Sequence, residues 1–134
     1  MAQSLVRWAG GKRFIGIDST NHSVVLSSAD EGIGMKPSEL LLVALSSCSS
    51  VDVVDILSKK RIELTKLDVQ ATAEQDKEPP WTFRKIHLIY RLAGKGLTKR
   101  DAEQAIKLSQ DKYCSVAATI RGMAEITWEY VIEG

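Results

Sequence analysis

The sequence is short of cysteine, has almost no net charge and lacks a long hydrophobic run. Its 134 residues include only two cysteines, too few for a framework of disulfides. With 18 basic and 17 acidic side chains the net charge is +1, so charge favours neither nucleic acid nor an anionic membrane as a partner. The longest apolar run, residues 40–45, is far below the about 20 residues that span a bilayer.

Signals for secretion, metal binding and phosphate binding are also missing. The first residues show no charged flank followed by an apolar stretch, so we expect no secretory signal and a cytoplasmic protein. The two histidines, His22 and His87, lack the short spacings to each other and to cysteine that zinc sites use. No run of glycines precedes a helix in the way that phosphate-binding loops require. We therefore expect no metal and no cofactor.

Short segments rich in apolar residues, three of which alternate apolar and polar side chains, predict six strands. The second strand follows a turn at Gly10 and Gly11. Glycine and proline mark the ends of several others. The predicted strands cover residues 4–8, 12–18, 22–27, 64–74, 82–92 and 124–132.

A long first helix is predicted from Pro37 to the basic run at residues 59–61. Proline suits the first helical turn, and basic residues suit a helix C-terminus. Apolar side chains cover nearly every side of residues 40–45. A helix of this kind is typically enclosed by protein.

A second helix is predicted to begin at Thr98, with Asp101 three residues later as in a capping box. Cys114 falls at or just after its end, residues 116–120 continue helically, and Gly122 stops the helix. The order is three strands, a helix, two strands, a helix and a strand. It predicts one α+β domain over residues 1–134, with mostly antiparallel sheet and two helices.

The two cysteines, Cys48 and Cys114, each lie in an apolar stretch of helical character. Thiols far apart in sequence can cycle between dithiol and disulfide if the fold brings them together, which makes thiol redox chemistry the first hypothesis. The alternative is two ordinary buried cysteines, because free cysteine is among the most buried residue types.

The surroundings of both cysteines resemble a known family. Pro37-Ser38-Glu39-Leu40 leading to Ser47-Cys48 is similar to the first motif of the OsmC/Ohr family of osmotically induced and organic-hydroperoxide-resistance proteins, and Lys112-Tyr113-Cys114-Ser115-Val116 is similar to the second. The residues after Cys48 look most like the YhfA-like subgroup. The order of elements matches over nearly the whole chain.

The resemblance implies an OsmC-like fold: an intertwined homodimer whose antiparallel sheets surround central helices. It implies a thiol-dependent peroxidase acting on organic hydroperoxides or hydrogen peroxide, with Cys48 as the reactive and Cys114 as the resolving cysteine. A lipoyl-type or other small dithiol would be the reductant.

Active family members also use an arginine and a glutamate. Arg13 takes the place of the arginine, with Arg7 as the alternative. Ser38 stands where the family has its glutamate, and Glu39 comes one residue later. At 100° per residue, Glu39 lies about 180° around an ideal helix from Cys48.

Peroxide chemistry requires a thiolate at Cys48. Cys48 lies about ten residues inside its helix, beyond the first turn where the helix dipole acts, and burial alone would raise its pKa. The sequence therefore predicts that a cation activates it: Arg13 first, and Arg7 or Lys112 next. Asp52, one turn on, would oppose a thiolate if it faced the same pocket.

Other functions remain open from the sequence. One is a non-catalytic dimer of the same family that responds to redox state or binds a small ligand through a reversible disulfide. Another is a structural dimer with inert thiols. The segment 79–83 contains two prolines and two aromatic residues; it either walls an apolar substrate pocket or packs its aromatic rings for stability, the second being favoured.

Overall fold

The computed structural model describes all residues from Met1 to Gly134. It divides into two compact units, Met1–Leu41 and Leu42–Gly134. The chain forms six strands, three α-helices and one π-helical turn. The α+β prediction is therefore confirmed, while the prediction of only two helices is wrong.

The first unit contains an antiparallel three-stranded meander. Its strands, in order, are β1 (Ser4–Trp8), β2 (Arg13–Asp18) and β3 (Ser23–Ser27). The turn between β1 and β2 has Gly10 at φ +93° and Gly11 at φ +56°. Glycine adopts such values without steric cost, so the predicted glycine turn is confirmed. The first turn of helix α1 also belongs to this unit.

Helix α1 spans Pro37–Lys59 and begins at the predicted proline. Its residues buried in the second unit are Leu45, Ser49, Val53 and Leu57, a spacing of four that places them along one side of the helix. Val43, Val51 and Val54 are exposed. These side chains are uncovered in a single chain, so the prediction that protein encloses this helix depends on a second chain and stays a prediction.

By length and composition alone α1 could cross a bilayer, with a mean hydropathy of 1.9. The apolar character is not visible as one uninterrupted run because serines at positions 46, 47, 49 and 50 divide it. One such helix is weak evidence for a membrane span, since core helices of globular proteins have the same character. Here one side of α1 packs into a protein core.

The second unit contains the other three-stranded sheet, in the order β4 (Glu63–Gln75), β5 (Phe83–Lys95) and β6 (Glu125–Ile132). Strand β5 pairs antiparallel with β4 and parallel with β6. Alternate residues of β5 are fully buried, as expected where successive side chains point to opposite faces: Ile86, Leu88, Tyr90 and Leu92. They form the core together with the buried side of α1.

Three short helical segments connect β5 to β6. Helix α2 covers Lys99–Leu108, the π-helical turn covers Ser109–Tyr113, and helix α3 covers Ser115–Ile120. The Thr98 hydroxyl accepts a hydrogen bond from the amide of Asp101 at 3.1 Å, so the predicted cap is confirmed. The predicted continuous helix is instead interrupted at Cys114, whose backbone is extended.

Candidate active site

Cys48 lies in the middle of α1 and is half-buried. It precedes Ser49, which is fully buried. Cys48 packs against the core of the second unit. The helix thus holds one thiol at the boundary between core and surface.

Cys114 occupies the break between the π turn and α3 and is only 2% exposed. Its amide donates to the carbonyl of Ser109 at 2.8 Å, which closes the π turn. Its sulfur accepts a hydrogen bond from the amide of Ala117 at 3.3 Å and so caps α3. Cys114 is therefore fixed by the backbone on both sides.

The start of α3 meets the sulfur of Cys48. The Ser115 hydroxyl lies 4.0 Å from that sulfur. Burial acts to raise the pKa of Cys48, but hydrogen bonds from the Val116 amide, the Cys114 thiol, and the hydroxyl and amide of Ser115 outweigh it. The pKa of Cys48 is lowered as a result, because donors directed at a sulfur favour its charged form.

The pKa of Cys114 shifts in the opposite direction, to about 11. Burial is the main cause, and the neighbouring Cys48 raises it further through a hydrogen bond and through its charge. The amides of Ala117 and Val116 act against these effects. Near neutral pH, Cys114 is therefore a thiol, and it donates a hydrogen bond to the sulfur of Cys48.

This arrangement bears on one prediction, the activation of Cys48 by a cation. The largest effects on the pKa of Cys48 come from burial and from hydrogen bonds donated by uncharged groups. None of them comes from a cation. The sequence analysis considered the dipole of the helix that carries Cys48 and not the start of a second helix, which supplies these donors. The part assigned to a cation stays a prediction. The sequence predicted helix over residues 116–120 but not the break at Cys114 that gives this helix an N-terminus of its own.

Several predicted site residues have other partners. In the first unit, the Arg13 guanidinium donates to the Gly10 carbonyl at 3.1 Å and lies 3.6 Å from Glu31. Glu39 forms an exposed ion pair with Lys36 at 2.8 Å. The contacts of Arg13 and Glu39 leave their predicted catalytic roles untested.

In the second unit, the ammonium of Lys112 lies over the Tyr113 ring at 5.3 Å. Asp52 accepts a hydrogen bond from the Ser109 hydroxyl at 2.9 Å. It is not among the main influences on Cys48. Neither charged residue therefore has a demonstrated part in activating the thiol.

The remaining candidates are dispersed. Trp81 is exposed, whereas Phe83 packs against the core, which favours the packing interpretation for the ring of Phe83. His22 contacts the Thr20 hydroxyl at 2.8 Å, and His87 contacts that of Thr127 at 2.7 Å. No group of three or more histidine, cysteine and acidic side chains is placed to hold a metal ion.

The sequence profile of the OsmC-like protein family matches residues 29–129. The chain belongs to this family. Protein YhfA of Escherichia coli strain K12 is 32% identical over 130 residues, with 97% of each chain covered. The resemblance noted from the two cysteine motifs is thereby confirmed, including the YhfA-like subgroup.

Solved structures confirm the OsmC-like fold. A hypothetical protein from Aquifex aeolicus VF5 is 31% identical and aligns with a TM-score of 0.85, over 100% of this chain and 98% of the other. The organic hydroperoxide resistance protein OhrB of Bacillus subtilis aligns with a TM-score of 0.64 at 16% identity, over 98% of both chains. At that identity the likeness to OhrB concerns the fold alone.

Proposed function

We propose that this protein is a thiol peroxidase that reduces organic hydroperoxides or hydrogen peroxide through Cys48 and Cys114. One observation carries the proposal: two neighbouring thiols have pKa values shifted in opposite directions. A pair of titratable groups whose pKa values are driven apart by their surroundings is typical of a catalytic site. If both cysteines were inert and buried, burial would raise the pKa of each one.

In the first step, the Cys48 thiolate attacks the terminal oxygen of the hydroperoxide. A sulfur–oxygen bond forms and the oxygen–oxygen bond breaks, so the sulfur is oxidised to sulfenic acid and the peroxide is reduced. The leaving alkoxide takes a proton from water and departs as an alcohol. The lowered pKa of Cys48 raises the fraction of reactive thiolate near neutral pH.

In the second step, the sulfur of Cys114 attacks the sulfur of the Cys48 sulfenic acid. A disulfide forms, the sulfur–oxygen bond breaks, and water leaves with the Cys114 proton. Oxidation of Cys48 removes the thiolate charge that raises the pKa of Cys114. Cys114 is thus held as a thiol while Cys48 attacks and becomes easier to ionise once Cys48 is oxidised.

In the third step, an external dithiol reduces the disulfide. One thiolate of the dithiol attacks a protein sulfur, a mixed disulfide forms, and the second thiol displaces it. Both cysteines return to thiols, and the reductant leaves as its own disulfide. We propose a lipoyl-type or similar small dithiol, consistent with a cytoplasmic location, where thiols are kept reduced.

Family membership supports a role in peroxide or redox stress. The printed name of the Bacillus subtilis relative refers to organic hydroperoxide resistance. We extend that chemistry to this chain as part of the proposal. Arg13 and Glu39 are proposed to assist the first step, with Arg13 as the cation that favours the thiolate and the departing oxygen.

We also propose a homodimer built from one OsmC-like domain per chain. The matched profile crosses the boundary between the two compact units, and proteins of this family are typically dimers. Val43, Val51 and Val54 are 44%, 69% and 47% exposed and lie within about 80° of one another around α1. A second chain that covers this valine face would remove apolar surface from water.

A second candidate is a non-catalytic dimer with a redox-responsive disulfide. The observation that favours it is that Arg13 and Glu39 already have charged partners, Glu31 and Lys36. A redox-responsive protein would be oxidised once and need no rapid turnover. Its disulfide would form and break with the surrounding thiol potential.

The test is rapid-mixing kinetics of the reduced protein with an organic hydroperoxide and with hydrogen peroxide, followed by steady-state turnover with dithiol and monothiol reductants. A peroxidase consumes many equivalents of peroxide, and Cys48→Ser abolishes consumption. Ser47→Ala is a matched control, because the Ser47 hydroxyl bonds within α1 to the Val43 carbonyl at 2.7 Å. Oxidation that stops after one equivalent with an excess of dithiol would favour the second candidate.

A further inference from the structure

A cluster of buried polar side chains joins the two helical segments that carry the cysteines. Ser49, Tyr90 and Ser109 are fully buried, and Gln110 is 3% exposed. Asp52 forms the half-buried end of the cluster. We call these five residues the serine–tyrosine cluster.

The hydrogen bonds of the cluster form a chain. Gln110 Nε2 lies 2.8 Å from the Tyr90 hydroxyl, which lies 2.6 Å from Ser49 Oγ. Ser49 Oγ lies 2.8 Å from Ser109 Oγ. The chain ends at Asp52, whose carboxylate lies 2.9 Å from Ser109 Oγ.

The chemistry of the two ends sets the direction of every hydrogen bond. An ionised carboxylate only accepts, so the Ser109 hydroxyl donates to Asp52. Ser109 then accepts from Ser49, Ser49 accepts from Tyr90, and Tyr90 accepts from the amide group of Gln110. Aligned hydrogen bonds in a buried setting strengthen one another. Burial also raises the pKa of Tyr90, so its hydroxyl keeps the proton that it donates.

Ser109 connects this chain to the resolving cysteine. Its side chain is anchored to Ser49 and Asp52 on α1, directly after Cys48. Its carbonyl accepts the amide hydrogen of Cys114 at 2.8 Å. The backbone of one cysteine is therefore only one residue and one hydrogen bond away from the helix of the other.

The shape of the connecting segment depends on the same contact. Residues Ser109–Tyr113 form a π-helical turn, an uncommon conformation that often occurs at functional sites. The carbonyl of Gln110 accepts a hydrogen bond from the Arg121 guanidinium. The segment is thus held to α1 by side chains and to the end of α3 by its backbone.

We propose that the serine–tyrosine cluster positions Cys114 against Cys48 and thereby sets both the rate of disulfide formation and the reduction potential of the disulfide. Its members are positioning residues, since none touches the reacting sulfurs through its hydroxyl or amide. Holding two reacting groups in place raises their effective concentration. A higher effective concentration of the two thiols stabilises the disulfide and lowers its reduction potential.

The kinetic part of this inference depends on the proposed peroxidase function, whereas the potential can be measured without peroxide. We would compare Ser109→Ala and Tyr90→Phe with the wild type. Ser109→Ala breaks the chain next to Asp52, and Tyr90→Phe removes one hydroxyl while keeping the ring. Ser50→Ala is the matched control, because the Ser50 hydroxyl bonds only to the Ser46 carbonyl of its own helix, at 2.7 Å.

The first measurement is equilibration with buffers of oxidised and reduced dithiothreitol. For both cluster variants we expect the equilibrium constant for disulfide formation to fall about tenfold, which corresponds to about 30 mV. Ser50→Ala should leave it within about twofold. A role limited to stability would lower the melting temperature of the variants without changing this constant, because folded reduced and folded oxidised protein would be affected alike.

The second measurement is rapid mixing with an organic hydroperoxide. In both variants, the rate at which peroxide consumes the Cys48 thiolate should stay within about twofold of the wild type. The rate of disulfide formation should fall about tenfold. A folded Tyr90→Phe protein with an unchanged constant and unchanged disulfide formation would overturn the positioning role. If the wild type does not react with peroxide but the variants still show a lower equilibrium constant for disulfide formation, only the peroxidase proposal is refuted.

Discussion

The hydroxyl of Ser115 lies 4.0 Å from the sulfur of Cys48, although 67 residues separate them in the chain. Ser115 also begins α3 directly after Cys114. The sulfur of Cys48 therefore receives hydrogen bonds from groups that follow Cys114 in the sequence. Each cysteine contributes to the pKa shift of the other, so a change in the charge of one sulfur alters the pKa of the second.

The first prediction concerns the pH dependence of Cys48. Its pKa is lowered from the ordinary 9.0, so its alkylation rate should rise with pH through a midpoint below that value. The measurement is the rate of iodoacetamide labelling against pH, with the labelled peptide identified by mass spectrometry. In Cys48→Ser, labelling near neutral pH should nearly disappear, because the remaining thiol is buried. A midpoint at or above the ordinary value would contradict the site.

The second prediction concerns stability at alkaline pH. The pKa of Cys114 is raised from 9.0 to about 11 in the folded protein, so the unfolded chain loses this proton more readily than the folded one. The contribution of Cys114 to stability is present below pH 9 and is lost as pH rises toward 11. Denaturant unfolding at pH 8 and pH 10.5 should show a larger loss for the wild type than for Cys114→Ala. Equal losses would show that burial does not protect this proton.

The third prediction concerns the role of Cys114 as the resolving thiol. Cys114→Ser should allow one fast reaction with peroxide, after which Cys48 proceeds to sulfinic acid because no thiol is available to condense with the sulfenic acid. Mass spectrometry should find the added oxygens on the peptide that contains Cys48. Sustained peroxide turnover by this variant would show that another thiol, or the reductant itself, resolves the intermediate.

The fourth prediction concerns Arg13. We expect Arg13→Ala to slow the reaction of Cys48 with hydroperoxide by about tenfold or more, while stability falls by less than about 1 kcal/mol, because the Arg13–Glu31 pair is partly exposed. Glu31→Gln is the control, since it removes the same ion pair and keeps the arginine. A similar slowing in both variants would indicate a structural effect and move the catalytic role to another cation.

The fifth prediction concerns the valine face of α1. Val51→Asp should shift the protein from dimer to monomer in sedimentation, because it places a charge on the apolar surface that a second chain is proposed to cover. Lys59→Glu adds negative charge to the same helix outside this face and should leave the dimer intact. A dimer of unchanged affinity in Val51→Asp would place the interface elsewhere.

The sequence by itself determined the elements of the fold. Short apolar segments between turn signals, three of them with period-two alternation, located all six strands. Pro37 and Thr98 marked the starts of two helices. These signals act between residues a few positions apart. The cysteine motifs also identified the family. Local patterns did not predict the π turn after α2. This turn closes through a hydrogen bond from the Cys114 amide to the Ser109 carbonyl, which no side-chain pattern indicates.

Only the tertiary structure decided which groups surround the two thiols. Sequence reasoning assigned the activation of Cys48 to a cation, since nothing near it in the chain could lower its pKa. The fold brings the first amides of α3 to the sulfur, and joins Ser49, Tyr90 and Ser109 into one buried chain of hydrogen bonds. Hydrogen bonds and burial depend on distances across the fold, and sequence separation does not fix those distances.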